Sequence, residues 1–214
     1  MLVGERMTRH PVTVHEDERV EEALQLMRRE KVRRLPVLDK KGKLVGIVSE
    51  KDLLYASPSP ATTLSIYEVH YLLSKLTVKE VMTREVITVT EFTPIEEAAR
   101  IMVDNKIGGL PVMRGDALVG IITETDLFKI FLELLGARER GVRLTVLVPE
   151  QPGVLAQMTR AIAEAGGNIV ALGTFLGEDP TNRLIACKVT GMSKDALVEA
   201  IQPVTLEVLD VRET

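Results

Sequence analysis

The chain has 214 residues, 45% of them hydrophobic and 27% charged, with a formal net charge of −4 at pH 7 and a pI of about 5.6. This balance is typical of a folded globular protein and argues against both a disordered chain and a basic nucleic-acid-binding domain. No apolar run approaches the roughly 20 residues that cross a bilayer, and Met1–Arg6 is too charged for a secretory signal, so we expect a cytoplasmic protein with no membrane or nucleic-acid partner.

An internal repeat dominates the first two thirds of the chain. Met7-Thr8-Arg9 recurs as Met82-Thr83-Arg84. Leu44 to Leu53 recurs as Leu118 to Leu127, with one residue lost in the preceding turn. The repetition predicts one supersecondary unit built twice, and the copies should pack on each other because each leaves apolar faces that it cannot cover alone.

Each copy is predicted to have the element order β-α-β-β-α. In the first copy an extended segment over Val12–Val14 precedes an amphipathic helix, and a hairpin that turns at Gly42 leads into a second helix beginning at Ser49. The second copy repeats this pattern, with Pro94 in the first turn of its first helix and Thr123 at the start of its second.

Four landmarks recur in order in both copies: a Met-Thr start, a Leu-Pro-Val strand, a Leu-Val-Gly-Ile strand and a terminal Ser/Thr-x-x-Asp. On these landmarks the copies resemble CBS domains, and the tandem resembles a Bateman module. The resemblance implies an α+β pair packed about a pseudo-two-fold axis, assembled as a homodimer, with an adenosine ligand in its clefts. The CBS repeats are expected over 1–56 and 76–136, joined by an interdomain loop and helix over 57–75.

A capping box is predicted in the segment between the repeats. Ser65 precedes an apolar run at helical spacing, and Glu68 follows three residues later. The resulting helix could brace the pair or dock a partner. Bracing is favoured because its apolar face is that of an ordinary core helix.

The two Ser/Thr-x-x-Asp segments are the most informative positions for function. Ser49 with Asp52, and Thr123 with Asp126, predict N-caps that stabilise the following helices by roughly 1 kcal/mol each. The CBS resemblance implies in addition that each Asp accepts hydrogen bonds from the ribose hydroxyls of an adenine nucleotide, while the hydroxyl residue helps to hold ribose or phosphate. The two roles are compatible.

The two clefts are expected to differ. Before its Leu-Pro-Val strand the first copy has Arg33 and Arg34, which suit anionic phosphate, although Arg33 fits a solvated loop equally well. The second copy has Gly108 and Gly109, which permit close approach of a ligand or of the other repeat. The remaining nucleotide-binding candidates are the phosphate ligands Arg9 and Arg84, an adenine wall of Thr13, Val14, Thr88 and Val89, and the strand residues Pro36 and Pro111.

A different unit follows a charged linker over 137–141. Its predicted order over 142–214 is β-α-β-β-α-β, which is ferredoxin-like. Pro152-Gly153-Val154-Leu155 and Gly167-Asn168-Ile169 make it resemble an ACT domain, a family in which such turns hold an amino acid between two units. An Asp that is common in that family is replaced here, which favours dimerisation without a ligand. The amino-acid-binding candidates are Gly153, Leu155, Asn168 and Ile169.

The order of two CBS units and one ACT unit most resembles the acetoin-utilisation B family, whose members are regarded as regulatory proteins. No catalytic motif or metal-site spacing is found, and the single cysteine, Cys187, reads as a core residue, so we expect no catalytic residue, metal or cofactor. The resulting hypothesis is a non-catalytic sensor of AMP, ADP, ATP or S-adenosylmethionine that acts on an unidentified regulated enzyme. Two alternatives stay open, a structural adaptor with empty clefts that scaffolds a partner enzyme and an amino-acid sensor acting through the ACT domain.

Overall fold

The computed structural model describes residues 1–56 and 75–214, which form two units, Met1–Leu127 and Phe128–Thr214. The interdomain helix predicted from Ser65 lies outside the described residues. Elements are numbered below along the described chain. The α+β architecture predicted for both units is confirmed.

The first unit contains the repeat twice, each time in the predicted β-α-β-β-α order. A short helix α1 (Val3–Arg6) and strand β1 (Thr8–Arg9) come before it. The first copy consists of β2 (Val14–His15), α2 (Val20–Glu30), β3 (Arg34–Leu38), β4 (Leu44–Ser49) and α3 (Glu50–Tyr55). Helix α4 (Val78–Val81) corresponds to α1 and comes before the second copy, which consists of β5 (Val89–Thr90), α5 (Ile95–Asn105), β6 (Gly109–Arg114), β7 (Ala117–Thr123) and α6 (Glu124–Leu134).

Helices α2 and α5 have corresponding boundaries in the two repeats. Each buries one apolar face, as the helical spacing predicted, and each ends at a lysine in the left-handed region, Lys31 at φ 54° and Lys106 at φ 55°. Pro94 takes the N-cap position of α5 and not the predicted first turn. Proline fits there because an N-cap has extended backbone, and Pro94 has ψ 143°.

The opening segment of each repeat packs on the other repeat. Strand β1 pairs antiparallel with β7, so that Thr8 faces Ile121, and the second-repeat sheet has the order β1-β7-β6-β5. In the same way Thr83 exchanges two backbone hydrogen bonds with Ile47 beside the sheet β2-β3-β4. Fully buried Val3 therefore lies in the core of the second repeat, and fully buried Val78 lies in the core of the first.

The second unit has the ferredoxin-like order predicted from the sequence. Its elements are β8 (Val142–Pro149), α7 (Val154–Glu164), β9 (Asn168–Leu176), β10 (Asn182–Thr190), α8 (Lys194–Ile201), a 3-10 helix (Gln202–Val204) and β11 (Glu207–Glu213). The four antiparallel strands are arranged β11-β8-β10-β9, and helices α7 and α8 pack on one face over a core that includes Leu144, Met158 and Leu197.

Two neighbouring residues of β10 point to opposite sides of this sheet. Cys187 is buried in the apolar core, as predicted, and burial raises the pKa of its thiol to about 11. Lys188 is buried on the other side, at 4% exposure, where its Nζ donates hydrogen bonds of 2.8 Å to the carbonyl oxygens of Gly136 and Glu139. The predicted linker over 137–141 is thus fixed to the sheet by a buried ammonium group.

Candidate functional site

The first Ser-x-x-Asp segment forms the predicted helix cap. Ser49 is the N-cap of α3, and its Oγ accepts a hydrogen bond from the backbone N–H of Asp52. In return Asp52 Oδ2 accepts from the Ser49 backbone N–H at 2.8 Å and from its Oγ at 2.7 Å. Among the described residues, Asp52 Oδ1 has no hydrogen-bond partner, so one carboxylate oxygen stays open to a ligand.

The second copy of the cap is more enclosed than the first. Asp126 Oδ2 accepts hydrogen bonds from the Thr123 backbone N–H at 3.1 Å and from Thr123 Oγ1 at 2.8 Å. The two caps differ in exposure, because Asp126 is buried at 8% whereas Asp52 is partly exposed. Equivalent sequence segments therefore present unequal carboxylates to a ligand.

A cavity of about 470 Å³ lies beside Asp52, and we call it the Asp52 cavity. Its volume falls within the range of small-molecule sites. Six of the predicted nucleotide-binding residues line this cavity: Arg33, Arg34, Ser49, Asp52, Gly108 and Gly109. The prediction that the arginines and the glycines belong to different clefts is wrong, because both groups line the same cavity from opposite repeats.

The wall of this cavity includes residues that the sequence analysis did not select. Ile47, Val86 and Ile87 supply apolar surface beside Thr83. Thr83 reaches this position because it pairs with Ile47 across the repeats. In the sequence, the Met-Thr pair that recurs in both repeats was the one indication of this position. In the structure Met82 packs on Gly46 of the other repeat, and a Cβ on Gly46 would lie only 2.4 Å from Met82 Sδ.

Charged groups of both signs surround the same space. Four basic side chains line the cavity, Arg33, Arg34, Lys51 and Lys106. Four acidic ones do so as well, Glu50, Asp52, Glu85 and Glu124. One pair joins the repeats, since Arg34 Nη2 lies 3.8 Å from Glu124 Oε2. A ligand entering this cavity would therefore meet both cationic donors and carboxylate acceptors.

The residues predicted as an adenine wall do not line the Asp52 cavity. Val14 and Val89 are buried in the two repeat cores, because β2 and β5 pair with the central strands β3 and β6. Thr13 and Val14 border a different cavity of about 500 Å³ near the hairpin turn, and Thr88 is exposed. Pro36 and Pro111 are buried within β3 and β6.

Arg9 and Arg84, predicted as phosphate ligands, each cap a short helix and do not line the Asp52 cavity. Arg9 Nη2 donates to the carbonyl oxygen of Gly4 in α1 at 2.8 Å. Arg84 Nη2 donates to the carbonyl oxygen of Lys79 in α4 at the same distance. Cations near the C-terminal carbonyls of a helix are favourable, and this gives both arginines a structural role.

The four amino-acid-binding candidates of the second unit do not converge on one cavity. Gly153, at φ 89°, is the N-cap of α7 and borders a shallow groove along that helix. Asn168 and Ile169, at the start of β9, border a separate cavity of about 650 Å³ beside Gly136. Leu155 is 41% exposed and lines neither of these two cavities.

The described ranges contain neither a candidate metal centre nor a candidate membrane span. No helix within residues 1–56 and 75–214 is both long and apolar enough to traverse a bilayer. No group of three or more His, Cys, Asp or Glu side chains in these ranges could hold a metal ion.

Comparison with protein-family models identifies three stretches of the chain. A CBS domain model matches residues 3–59 and again residues 78–133. A model described as a TTHA0829-like ACT domain matches residues 140–212. The family assignments made from the sequence landmarks are confirmed by these matches.

Three solved structures are similar to the first part of the chain. An acetoin utilization protein (AcuB) from Vibrio cholerae is 36% identical, with a TM-score of 0.53, over 64% of this chain and 95% of that one. The CBS domain pair of protein MJ0100, in complex with 5′-methylthioadenosine and S-adenosyl-L-methionine, is 30% identical, with a TM-score of 0.52, over 65% of this chain and 98% of that one. CBSX2 in complex with AMP is 33% identical, with a TM-score of 0.51, over 61% of this chain and 96% of that one.

Proposed function

The chain belongs to the family of CBS-domain proteins, and on that premise we propose that it is a non-catalytic regulatory sensor that binds an adenosine-containing ligand in the Asp52 cavity. One observation carries the proposal: the half-open Asp52 carboxylate shares a cavity with Arg33 and Arg34. The MJ0100 pair and CBSX2 were solved with ligands that all contain adenosine. Adenosine is therefore the group on which we base the assignment.

Each part of such a ligand has a chemical counterpart in the cavity. Asp52 Oδ1 would accept hydrogen bonds from the ribose hydroxyls, and Ile47 with Val86 would pack on the adenine ring. Phosphate oxygens would receive forked donors from Arg33 and Arg34. These groups bind and orient a ligand, and we assign no bond-making step to them.

The oligomeric state and the cellular location of the protein are part of the same hypothesis. We propose a homodimer in the cytoplasm that regulates an enzyme according to the ligand bound. Ligand binding shifts a conformational equilibrium only through different affinity for two states.

Calorimetry on Asp52→Asn and Asp126→Asn tests the ribose assignment. We expect AMP to bind Asp52→Asn about 10- to 100-fold more weakly, because hydrogen bonds to a charged group contribute about 1.5–3 kcal/mol. Asp126→Asn is the matched control, since it alters an equivalent helix cap outside the cavity lining. Equal affinity in both variants and the wild-type chain would contradict the ribose role of Asp52.

A thermal-shift panel tests the ligand class and the alternatives together. It contains AMP, ADP, ATP, S-adenosylmethionine and the amino acids. The amino acids are included because Asn168 and Ile169, two of the predicted amino-acid-binding residues, border a cavity. A shift with the adenosine compounds alone supports the proposal. A shift with an amino acid alone would favour sensing through the ACT domain, and no shift at all would favour an adaptor with empty clefts.

A further inference from the structure

The ion pair between Arg34 and Glu124 crosses from one repeat to the other inside the Asp52 cavity. The side chain of Arg34 is 24% exposed and that of Glu124 is 53% exposed. Arg34 lies directly over Gly108, where a Cβ would come within 1.9 Å of Nη2. Glycine at this position therefore makes room for an arginine that belongs to the other repeat.

The internal repeat shows that this arrangement is one-sided. Arg34 corresponds in the repeat to Gly109, and Glu50 corresponds to Glu124. Glu50 also lines the Asp52 cavity, but no arginine faces it from position 109. In the part of the chain that the structure describes, Glu124 has the inter-repeat ion pair and Glu50 has no ion pair. The two glutamates thus carry the same charge into the cavity with different partners.

We propose that Glu124 sets the charge preference of the Asp52 cavity by competing with ligand phosphate for Arg34. The inference rests on the proposed function, because it assumes an adenosine ligand in this cavity. At 3.8 Å and partly exposed to solvent, the ion pair is weak. A phosphate group offers more acceptor oxygens in the geometry that a guanidinium fork matches, so it can draw Arg34 away from Glu124.

An uncharged ligand does not compete with Glu124 for Arg34. Adenosine would use the ribose and adenine contacts and keep the ion pair between the repeats, whereas AMP would break it. Phosphorylated and unphosphorylated ligands would then leave the two repeats in different states of contact. That difference is what a sensor of ligand charge requires.

Calorimetry of the full chain with AMP and with adenosine tests this competition. We expect Glu124→Gln to bind AMP about 2- to 5-fold more tightly and adenosine with unchanged affinity, because only the competitor for Arg34 is lost. Arg34→Gln should bind AMP roughly 10-fold more weakly. In the Arg34→Gln background the gain from Glu124→Gln should disappear, which is the signature of coupled residues in a double-mutant cycle.

Glu50→Gln is the matched control for this cycle. It removes the same charge from the same cavity without touching Arg34, so any gain in AMP affinity that it causes should persist in the Arg34→Gln background. Arg34→Lys serves as a second variant, which keeps the charge and loses the fork. Melting temperatures establish that each variant is folded.

The outcomes separate this inference from the proposed function. If the wild-type chain binds neither AMP nor adenosine, the proposed function fails and the inference fails with it. If both bind but Glu124→Gln changes neither affinity, or changes AMP binding equally with and without Arg34, only the inference is overturned. A gain for AMP that depends on Arg34 supports both.

Discussion

Met7 lies across Gly120 so closely that a Cβ on the glycine would be 2.4 Å from the methionine Sδ. The contact joins the residue just before β1 to β7 of the second repeat. The first repeat contains the same contact between Met82 and Gly46, also at 2.4 Å. Two glycines thus allow the opening segment of each repeat to pack on the other repeat, and the paired fold depends on this packing.

Gly120→Ala is expected to destabilise the second repeat. The new methyl group must displace Met7, and it would also lie 3.1 Å from the backbone oxygen of Thr8. Overpacking of this kind costs about 1–3 kcal/mol. Hydrogen exchange should rise in β7 and β6. Gly46→Ala is the control, because it should raise exchange mainly in β3 and β4. Unchanged exchange in β6 and β7 of Gly120→Ala would contradict the close contact between Met7 and Gly120.

Gly108→Ala should leave the fold nearly intact and weaken AMP binding. A Cβ there meets the flexible ends of two side chains, Arg34 Nη2 at 1.9 Å and Glu124 Oε2 at 2.5 Å, and both can move. We expect a loss of stability below about 1 kcal/mol and a loss of AMP affinity of roughly 3- to 10-fold. Denaturant unfolding and calorimetry measure the two quantities. A large loss of stability with unchanged affinity would count against the placement of Arg34.

Lys188→Met should loosen the attachment of the linker to the ACT sheet. The methionine keeps apolar volume, but the carbonyl oxygens of Gly136 and Glu139 lose their donor. Such a loss costs about 1–3 kcal/mol. Arg143→Met is the control, because Arg143 is paired with Lys188 on the neighbouring strand β8. Arg143 makes a half-exposed ion pair, which contributes about 0–1 kcal/mol. Equal destabilisation by both changes would contradict a special role for Lys188.

Stability of the ACT unit should fall in alkali because of Cys187. Its thiol has a pKa of about 11 in the folded protein and 9.0 ordinarily. Below pH 9 the thiol is neutral in both states. Between about pH 9 and 11 only the unfolded chain ionises, so the free energy of unfolding falls by about 2–3 kcal/mol in all. Cys187→Ala should lack this part of the pH dependence in denaturant titrations. Parallel pH profiles for the two chains would refute the assignment.

Much of the fold was predictable because it depends on local patterns. The repeat, the helix faces and the ferredoxin-like order all follow from short-range spacing and turn chemistry. The cap at Ser49 followed from the same rules. The helices and strands of the second unit follow one another in the predicted order.

The candidate site was less predictable because it is built from distant segments. Arg34 and Gly108 share a cavity only because the repeats face each other, and nothing local in either segment encodes that. Val14 and Val89, predicted as part of an adenine wall, are buried in the repeat cores and do not line the Asp52 cavity. A β-branched residue at a strand end can face a core or a cleft, and only the strand pairing decides.

The exchange of opening segments also constrains how the chain can fold during synthesis. The core of the first repeat includes Val78 and Met82, so it stays incomplete until those residues have left the ribosome. The core of the second repeat includes Val3 and Met7, which must wait for strands made more than a hundred residues later. Domains usually fold in order as they emerge. Here neither repeat can finish alone, and the pair should acquire its native structure in one late, cooperative step.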